Sequence, residues 1–451
     1  MTNTQLILVQ IVFLVTITLI QGRQNYHVIY QWNVIEPEWP NLEIREKSLN
    51  NGSYIPENNI ITGIKFWRDQ IYLTVPRLKP GVPLTLTIIS SIPEQKSIKT
   101  EHGLQNLNIV SPKLKPFPNW HMQRLNDCEA FQSIQNMEID PMGRMWLIDN
   151  GRRDIFTENP NNTCPPRLVI LDLNTDGTIL KKYIFPKHTV DYNSVFLNDI
   201  VLDHEHGGFA YIIDSGSKDP GLIVYSLAAN TSWKIRHETM KIEDDVKTKL
   251  QIGIALSPSS RYDRMVYYSS VSSFNIFSIP TSVLKSGLTN VNDFVKQINR
   301  KKSSSSGMIM TSSGRLIYGL LANNSVASLN IKFSSNLGQF IVSDINYEET
   351  ILAHDDNIFQ WPNNFAIDDD NYLWCVTNNW KKFSTNKIDF NSTNYRLIKF
   401  LIRGKNYQYF DDGSAPILPL SQFLTSSRSL YGIPVSISLS DDTFPIVGRN
   451  F

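Results

Sequence analysis

Acidic and amide side chains recur at the points where short apolar segments of this sequence end. Asp149 closes RMWLID, Asp214 closes FAYIID, and Asn378 closes LWCVTN. Two carboxylates that face one channel could pair with an ammonium group or accept a proton, and Arg77, in LTVPR, could bind an anionic group. The structural alternatives are an Asp that accepts turn N–H groups and an Arg that forms a salt bridge between repeats.

The segments that carry these residues belong to a repeat. Each of six copies has a short apolar strand, a polar turn and a second strand with an aromatic residue near its start. These aromatic residues are Tyr72, Trp146, Tyr211, Tyr267, Tyr318 and Trp374. Further strand-like pieces follow each copy, so the pattern predicts an all-β, six-bladed β-propeller. The alternative is two stacked all-β domains, although no linker-like change of composition divides the repeats.

The sixth repeat has no obvious fourth strand of its own. The segment YHVIYQWNVI, residues 26–35, is an unassigned strand near the N-terminus of the mature chain. We expect this strand to complete the last blade and close the ring, which removes exposed sheet edges. The propeller is therefore predicted over residues 23–405, and residues 406–451 form a C-terminal extension of uncertain structure.

An apolar stretch at the start of the chain predicts secretion. It runs from Leu6 to Gly22 and ends in a small residue, so we predict a signal peptide over residues 1–22, with an uncleaved membrane anchor as the alternative. The mature form would be extracellular and free of the membrane. Asn-x-Ser/Thr sequons agree with this and predict glycosylation at Asn51, Asn161, Asn230, Asn323 and Asn391.

The charge balance disfavours a nucleic-acid partner. The 451 residues include 43 Lys and Arg against 42 Asp and Glu, which gives a formal net charge of +1. No field of one sign is then available to steer a polyanion.

Three cysteines allow one disulfide and one free thiol in an oxidising compartment. Cys375 lies inside the apolar run LWCV, where a buried thiol is expected. Cys128 and Cys164 lie in polar, loop-like segments, and we predict that they pair.

A metal site is not expected. His204, Glu205 and His206 resemble a metal-binding cluster, but they share one turn, where alternate residues rarely converge. Asn198 or Asp199 could supply part of a lactonase-like metal site, but no matching Glu stands in the first repeat. The sequence also contains no H-E-x-x-H, G-x-S-x-G, phosphate loop or paired C-x-x-C, so we predict neither a metal nor a cofactor.

The strand ends would line one mouth of the propeller channel. They offer amides, hydroxyls and carboxylates, with Trp361 and Trp380 nearby. This mixture suits a small aromatic amine or catechol, which would stack on a ring and hydrogen-bond through its polar groups.

Five segments resemble the Yellow / major royal jelly protein family of insects. They are LTVPRLKPGVPLTL (73–86), PFPNW (116–120), RMWLIDNG (144–151), CPPRLVILDL (164–173) and GLIVYSL (221–227). The resemblance extends over roughly residues 30–400 and implies a secreted six-bladed propeller. Both cysteines of one bridge found in many members are missing here, and the other family bridge is similar to Cys128 with Cys164.

The resemblance also implies a site for biogenic amines such as serotonin, which salivary members bind. Asn378 and Trp380 match the Asn and the following aromatic residue of that site. Ser133 and Ile134 match a strand-start pair, whereas Asn363 replaces a Thr, so the site is only partly preserved. For each residue the alternative is capping of a hairpin end.

Two classes of function follow from the resemblance. The first is a secreted protein that binds a small aromatic amine or catechol and is linked to pigmentation and melanin metabolism. The second is a dopachrome-converting isomerase, with Asp149 or Asp214 as the base and Arg77 as the electrophile that holds the oxyanion. A non-catalytic cuticular or developmental protein is a further alternative.

Overall fold

A computed structural model describes residues 26–100, 103–108, 110–241, 252–259, 263–331 and 348–418. The predicted signal peptide and residues 419–451 of the predicted extension lie outside these ranges. Six antiparallel sheets of four strands each are arranged as blades in a ring, so the predicted six-bladed β-propeller is confirmed.

The strands follow one another blade by blade. The first, β1 (Tyr26–Trp32), belongs to the last blade. Blade 1 contains β2 (Gly63–Trp67), β3 (Gln70–Thr74), β4 (Leu86–Ser90) and β7 (Lys115–Pro116), with the separate hairpin β5 (Gln95–Thr100) and β6 (Gly103–Asn108) between the last two. Blade 2 contains β8 (Ile134–Ile139), β9 (Arg144–Asp149), β10 (Arg167–Asp172) and β11 (Thr178–Ile184). Blade 3 contains β12 (Leu197–Asp203), β13 (Phe209–Asp214), β14 (Gly221–Ser226) and β15 (Thr231–Ile235).

The second half of the chain continues the pattern. Blade 4 contains β16 (Ile252–Leu256), β17 (Met265–Ser270), β18 (Asn275–Pro280) and β19 (Lys296–Arg300). Blade 5 contains β20 (Met308–Met310), β21 (Arg315–Leu320), β22 (Ser325–Asn330) and β23 (Thr350–His354). Blade 6 contains β24 (Pro362–Ile367), β25 (Tyr372–Asn378), β26 (Tyr395–Leu401) and β1. Short α-helices are α1 (Leu42–Asn50), α2 (Thr281–Ser286) and α3 (Trp380–Ser384).

The first strand of each blade lines the central channel, and these six inner strands contact one another around the ring. We call the end of the channel where the inner strands begin the upper face, and the end where they finish the lower face. Since blades pack on both sides, the inner strands are buried throughout: β8 and β12 expose no residue, whereas the outermost strand β11 is half-exposed.

The repeated aromatic residues hold neighbouring blades together. All six are at most 3% exposed and lie in apolar clusters that span the blade interfaces. In blade 2 the polar edge of Trp146 donates to Asp140 Oδ2 at 3.1 Å, and Asp140 also pairs with Arg144. The buried ring thus keeps a partner for its only donor.

The N-terminal strand closes the ring, as predicted. β1 pairs antiparallel with β26, from Tyr26 opposite Phe400 to Trp32 opposite Tyr395. The Trp32 indole also donates to the carbonyl of Pro112 in blade 1 at 2.8 Å. Blade 6 is therefore built from both ends of the propeller sequence, which leaves no open sheet edge inside the ring.

Residues 402–413, which we call the C-terminal plug, cross the lower face. The Tyr407 hydroxyl accepts from Leu202 N–H in blade 3 at 2.8 Å, and Gln408 Nε2 donates to the Ile139 carbonyl in blade 2 at 2.9 Å. Asn406 forms a bridge with Thr311 in blade 5. Residues 406–413 of this segment, for which the sequence suggested no role, thus touch three blades.

The predicted disulfide is confirmed. Cys128 and Cys164 are joined, with 5.3 Å between their Cα atoms, and link two loops on the upper face of blade 2. Cys375 is a buried free thiol. Of the sequon asparagines, Asn161 is half-buried and the rest are exposed, so glycosylation remains a prediction.

Candidate functional site

The upper part of the channel is shaped by three β-bulges. The pairing of β8, β12 and β24 with their partners is irregular at Gln135, Asn198 and Asn363. Each bulge residue and the residue after it line a narrow passage, which we call the channel neck. A bulge inserts one extra residue into a strand, so three blades each contribute two polar side chains at this level.

The neck side chains connect neighbouring blades. Asn136 Nδ2 donates to Asp199 Oδ1 at 2.7 Å, and Asn198 Nδ2 donates to the Ile252 carbonyl at 2.8 Å. Asn363 Nδ2 donates to the Thr62 carbonyl at 2.7 Å. A Cβ added at Gly307 would lie 2.3 Å from the Asn363 carbonyl, so this close approach requires a glycine.

The neck is tight and polar. It encloses about 10 Å³, roughly the space of one water molecule. Burial raises the pKa of Asp199 to about 7. Below the neck, Lys65 Nζ lies 3.1 Å from Glu138 Oε2, and burial raises the pKa of Glu138. Two acid groups of the channel are thus displaced toward the neutral form.

Asp149 and Asp214 hold equivalent structural positions on the upper face. Asp149 Oδ1 accepts from the backbone N–H groups of Ser133 and Gly151, and its Oδ2 pairs with Arg167. Asp214 accepts from the backbone of Phe196 and Gly216 and pairs with Lys234. Both carboxylates fasten the second strand of a blade to the start of its inner strand.

Arg77 is buried and holds backbone rather than a carboxylate. Its five N–H donors reach carbonyl oxygens of Val82, Pro83, Gln123, Phe131 and Gln132. Burial lowers its pKa to about 9. The salt bridge between repeats that the sequence suggested is replaced by this set of backbone contacts.

Ser133 and Ile134 lie where blade 1 meets blade 2. Ser133 Oγ accepts from the Arg77 N–H at 3.0 Å, and the Ile134 N–H donates to Thr85 Oγ1 at 2.8 Å. The Ile134 side chain is fully buried. The Ser133 hydroxyl and the Ile134 N–H therefore bind the neighbouring blade, and neither group is available to a ligand.

Asn378 and Trp380 cluster with Trp361 in blade 6. Asn378 Nδ2 donates to the Ile61 carbonyl at 3.0 Å, and the Asn378 N–H points to the Trp361 carbonyl at 3.4 Å. The Trp361 and Trp380 rings are stacked, with centroids 6.0 Å apart and planes at 16°. Trp380 begins helix α3, which the Asn379 side chain caps. Asn363 adjoins this cluster one residue beyond Pro362.

Three polar atoms of this cluster have no partner among the described residues. They are Asn378 Oδ1, Trp361 Nε1 and Trp380 Nε1, and all three are buried. A buried group without a partner costs about 1–3 kcal/mol, so native proteins seldom leave several together. The cluster therefore has one acceptor and two donors available to a ligand.

The turn of His204, Glu205 and His206 does not form a joint site. His204 Nε2 contacts Gln408 Oε1 at 2.7 Å, whereas Glu205 accepts from Ser259 and His206 lies near Lys285. Across the ranges that the structure describes, no three His, Cys, Asp or Glu residues are placed to hold a metal ion.

Comparison with known proteins gives the family. A sequence profile described as major royal jelly protein matches residues 132–405, from the start of blade 2 to the beginning of the plug. The chain belongs to the major royal jelly protein family. The Yellow-type resemblance is thereby confirmed over more than half of the chain.

Other members of the family are distant relatives. This royal jelly family protein is 26% identical over 411 residues to "Dopaminechrome tautomerase" of Drosophila melanogaster, covering 84% of this chain and 82% of the relative. It is also 26% identical over 388 residues to "Protein yellow" of Drosophila erecta, and this match covers 82% of this chain and 67% of the relative. Among solved structures, regucalcin, a calcium-binding protein from Agrobacterium tumefaciens, is 11% identical with a TM-score of 0.44. The match covers 81% of this chain and 96% of regucalcin, and it is too distant to bear on function.

Sequence reasoning found part of the upper face of this royal jelly family protein. It missed the neck residues Gln135, Asn136 and Asn364, although paired polar residues near the start of three inner strands (IQN, LND and PNN) were a usable signal. It also missed the pair of Lys65 and Glu138, which are far apart in sequence. In the described part of the chain, no helix has the length and apolar character to cross a membrane.

Proposed function

We propose that this protein binds a small aromatic amine or catechol at the upper face of its channel, in the metabolism of pigment. The observation that carries the proposal is the cluster of Asn378, Trp361 and Trp380, with its buried acceptor and two buried donors. An ammonium group or a catechol hydroxyl can donate to Asn378 Oδ1, and catechol oxygens can accept from the indole N–H groups. The tryptophan rings supply a stacking surface and attract a cation.

Entry of a ring requires movement of Trp361. Asn378 Oδ1 and both indole nitrogens are buried, and the Trp361 and Trp380 rings are stacked on each other, so a ligand ring reaches these atoms only when Trp361 shifts. Trp361 has a φ of 49°, a conformation that costs a bulky residue free energy. We infer that Trp361 shifts when the ligand ring enters against Trp380, which relieves part of this strain.

The names of the relatives support the link to pigment. One is named for the tautomerisation of dopaminechrome and others are named yellow. Binding is favoured over turnover at the residues predicted from the sequence. Asp149 and Asp214 would have to give up backbone N–H groups and a cation to act as a base, and Arg77 has all five donors in use.

Calorimetric titration with serotonin, dopamine and a stable dopachrome analogue tests the proposal. We expect the wild type to bind at least one amine, and Asn378→Ala to weaken it at least tenfold, since a hydrogen bond to a charged group contributes about 1.5–3 kcal/mol. Trp380→Phe keeps an aromatic ring but removes the N–H donor, so it should weaken the binding of catechols more than that of simple amines.

Asn357→Ala, an exposed Asn in the loop that leads into blade 6, is the matched control and should bind as the wild type does. Amine binding that survives both Asn378→Ala and Trp380→Phe would place the ligand elsewhere. The same samples are mixed with dopaminechrome and followed by visible absorbance. Conversion that stops in Asn378→Ala would extend the proposal from binding to turnover.

The proposal includes secretion of the mature protein. A disulfide between two surface loops agrees with an oxidising compartment, and the sequon asparagines reach solvent. N-terminal sequencing and glycosidase treatment of protein from the culture medium of insect cells test this. We expect a start near Arg23 and a loss of mass, whereas retention inside the cell would contradict secretion.

A further inference from the structure

A second cavity lies at the lower face, and the upper-face cluster contributes nothing to it. It encloses about 150 Å³ between the ends of the inner strands of blades 6, 1 and 2 and the C-terminal plug. Its lining includes Lys65, Trp67 and Glu138 from the strands and Lys405 and Tyr409 from the plug. We call it the lower chamber. A cavity of about this volume holds one benzene ring.

The floor of the lower chamber carries unused hydrogen-bonding capacity. Lys65 Nζ contacts Glu138 Oε2 at 3.1 Å and the Phe365 carbonyl at 3.5 Å, which occupies two of its three N–H donors. Trp67 Nε1 is buried and has no partner among the described residues. The chamber therefore offers two donors, two residues apart on one strand end, to a ligand that carries oxygen.

The charges of the lining are balanced. Asp140 pairs with Arg144, and Asp368 pairs with Lys399 at 3.0 Å. Both carboxylates also accept from an indole N–H, of Trp146 and Trp374 respectively. Since each strand-end carboxylate already has its cation, nothing in this part of the wall selects for a charged ligand.

The plug side of the chamber is balanced in the same way. Asp369, in the turn after β24 of blade 6, and Lys405 of the plug lie next to each other, and burial raises the pKa of Asp369 while Lys405 opposes that shift. Lys405 Nζ also donates to the Asp369 carbonyl at 2.5 Å. Burial raises the pKa of Tyr409 to about 12, so its hydroxyl stays protonated and polar.

We propose that the lower chamber is a second binding site, for a neutral ring-sized molecule that bears phenolic or quinone oxygens. The volume fits one ring, and Lys65 and Trp67 donate to its oxygens. Glu138, beside Lys65, accepts from a ligand hydroxyl. The plug forms one wall, so a ligand here also bridges the plug to blades 1 and 2. This site goes beyond the amine site of the upper face and does not depend on it.

Titration with catechol as the probe, on the full-length protein, tests the second site. We expect catechol still to bind Asn378→Ala, because Asn378 does not line the lower chamber, and the substitutions that follow are made in the Asn378→Ala background so that the upper face does not contribute. Trp67→Phe keeps an aromatic wall and removes one donor, so it should weaken catechol about tenfold. The double variant K65M/E138Q removes both charges together and should abolish binding, while toluene, which lacks oxygen, should not bind the wild type.

The outcomes separate this site from the upper-face proposal. Catechol binding that Asn378→Ala abolishes and Trp67→Phe leaves intact would overturn the lower chamber as a site. Absence of catechol binding would also overturn it, even if dopamine binds in an Asn378-dependent manner and the upper-face proposal stands. If K65M/E138Q does not fold, the Trp67→Phe titration decides alone.

Discussion

Asp149 shows how one carboxylate can hold a blade together. It is fully buried, accepts from backbone N–H groups at the start of the inner strand, and neutralises Arg167. Asp214 repeats the arrangement with Lys234 in blade 3. Because the arrangement recurs at the end of the second strand in blades 2 and 3, it is explained by the repeat and needs no chemistry on a substrate.

Asp149→Asn should destabilise the fold rather than disable a catalyst. The change leaves Arg167 as a buried charge without its partner, which costs about 3–5 kcal/mol. Denaturant unfolding should therefore show a lower free energy of unfolding, while Asp293→Asn, on the surface, should change it by less than about 0.5 kcal/mol. A variant of unchanged stability that loses dopaminechrome conversion would instead make Asp149 the base.

Lys301 gives the stability a dependence on pH. It is 2% exposed, and burial lowers its pKa to about 7, with Ser269 and Ser305 as its hydrogen-bond partners. Between pH 7 and 10 the unfolded chain binds a proton that the folded chain lacks, so stability rises with pH by up to about 1.4 kcal/mol per unit.

Lys301→Met should remove that contribution. Denaturation of both proteins at pH 7, 8 and 9 measures the difference in slope, and Lys79, whose pKa burial lowers to about 8, contributes equally to each. Parallel curves for the two proteins would mean that Lys301 keeps its proton in the folded state.

At the scale of elements, the C-terminal plug joins the lower ends of several blades. Its central residue, Tyr407, is 2% exposed and accepts from a backbone N–H of β12. The adjacent Gln408 reaches the end of β8. A short segment without regular structure is thus fixed by side chains that satisfy the ends of inner strands.

Tyr407→Phe should weaken this attachment. The change leaves the Leu202 N–H buried without an acceptor, at a cost of about 1–3 kcal/mol. We expect a lower unfolding free energy and faster proteolysis near residues 402–413. Phe410→Leu, at an exposed position of the same segment, should match the wild type in both. Faster cleavage of Phe410→Leu alone would contradict the anchoring assigned to Tyr407.

Some elements could be predicted and others could not, for physical reasons. The hairpins could be predicted because apolar runs alternate with turn residues. The aromatic residue in each second strand marks a blade interface. The bulges at Gln135, Asn198 and Asn363 are outcomes of strand pairing and leave only a weak trace in composition. Trp361 was noticed as an aromatic neighbour, but its stacking on Trp380 depends on a backbone conformation that single residues do not reveal.

At the scale of the whole molecule, the stability of the ring depends on the closure of blade 6. Its outermost strand, β1, comes from the other end of the propeller sequence, and Trp32 on that strand is 2% exposed between blades 6 and 1. The sequence predicted this closure because a strand was missing at one end and spare at the other. The greater part of the plug lies beyond residue 405, where the family match ends, and its sequence contains no similar clue to its position.

Trp32→Ala should therefore lower the stability of the entire propeller. Loss of a buried Trp costs about 3–5 kcal/mol, and we expect fluorescence and far-UV circular dichroism to shift together to lower denaturant concentration. His27→Ala, on an exposed position of the same strand, is the control. A shift in fluorescence alone would mean that β1 frays without opening the ring.

The closure of blade 6 also delays the pairing of its first-made strand during translation. Trp32 emerges early from the ribosome, yet its partner Tyr395 is made near the end of the propeller sequence. At about 5–20 residues per second the first strand waits for tens of seconds with its backbone unpaired. During that interval a nascent chain exposes an aromatic strand that could pair with another copy on the same polysome. We therefore expect chaperones to protect this strand during synthesis.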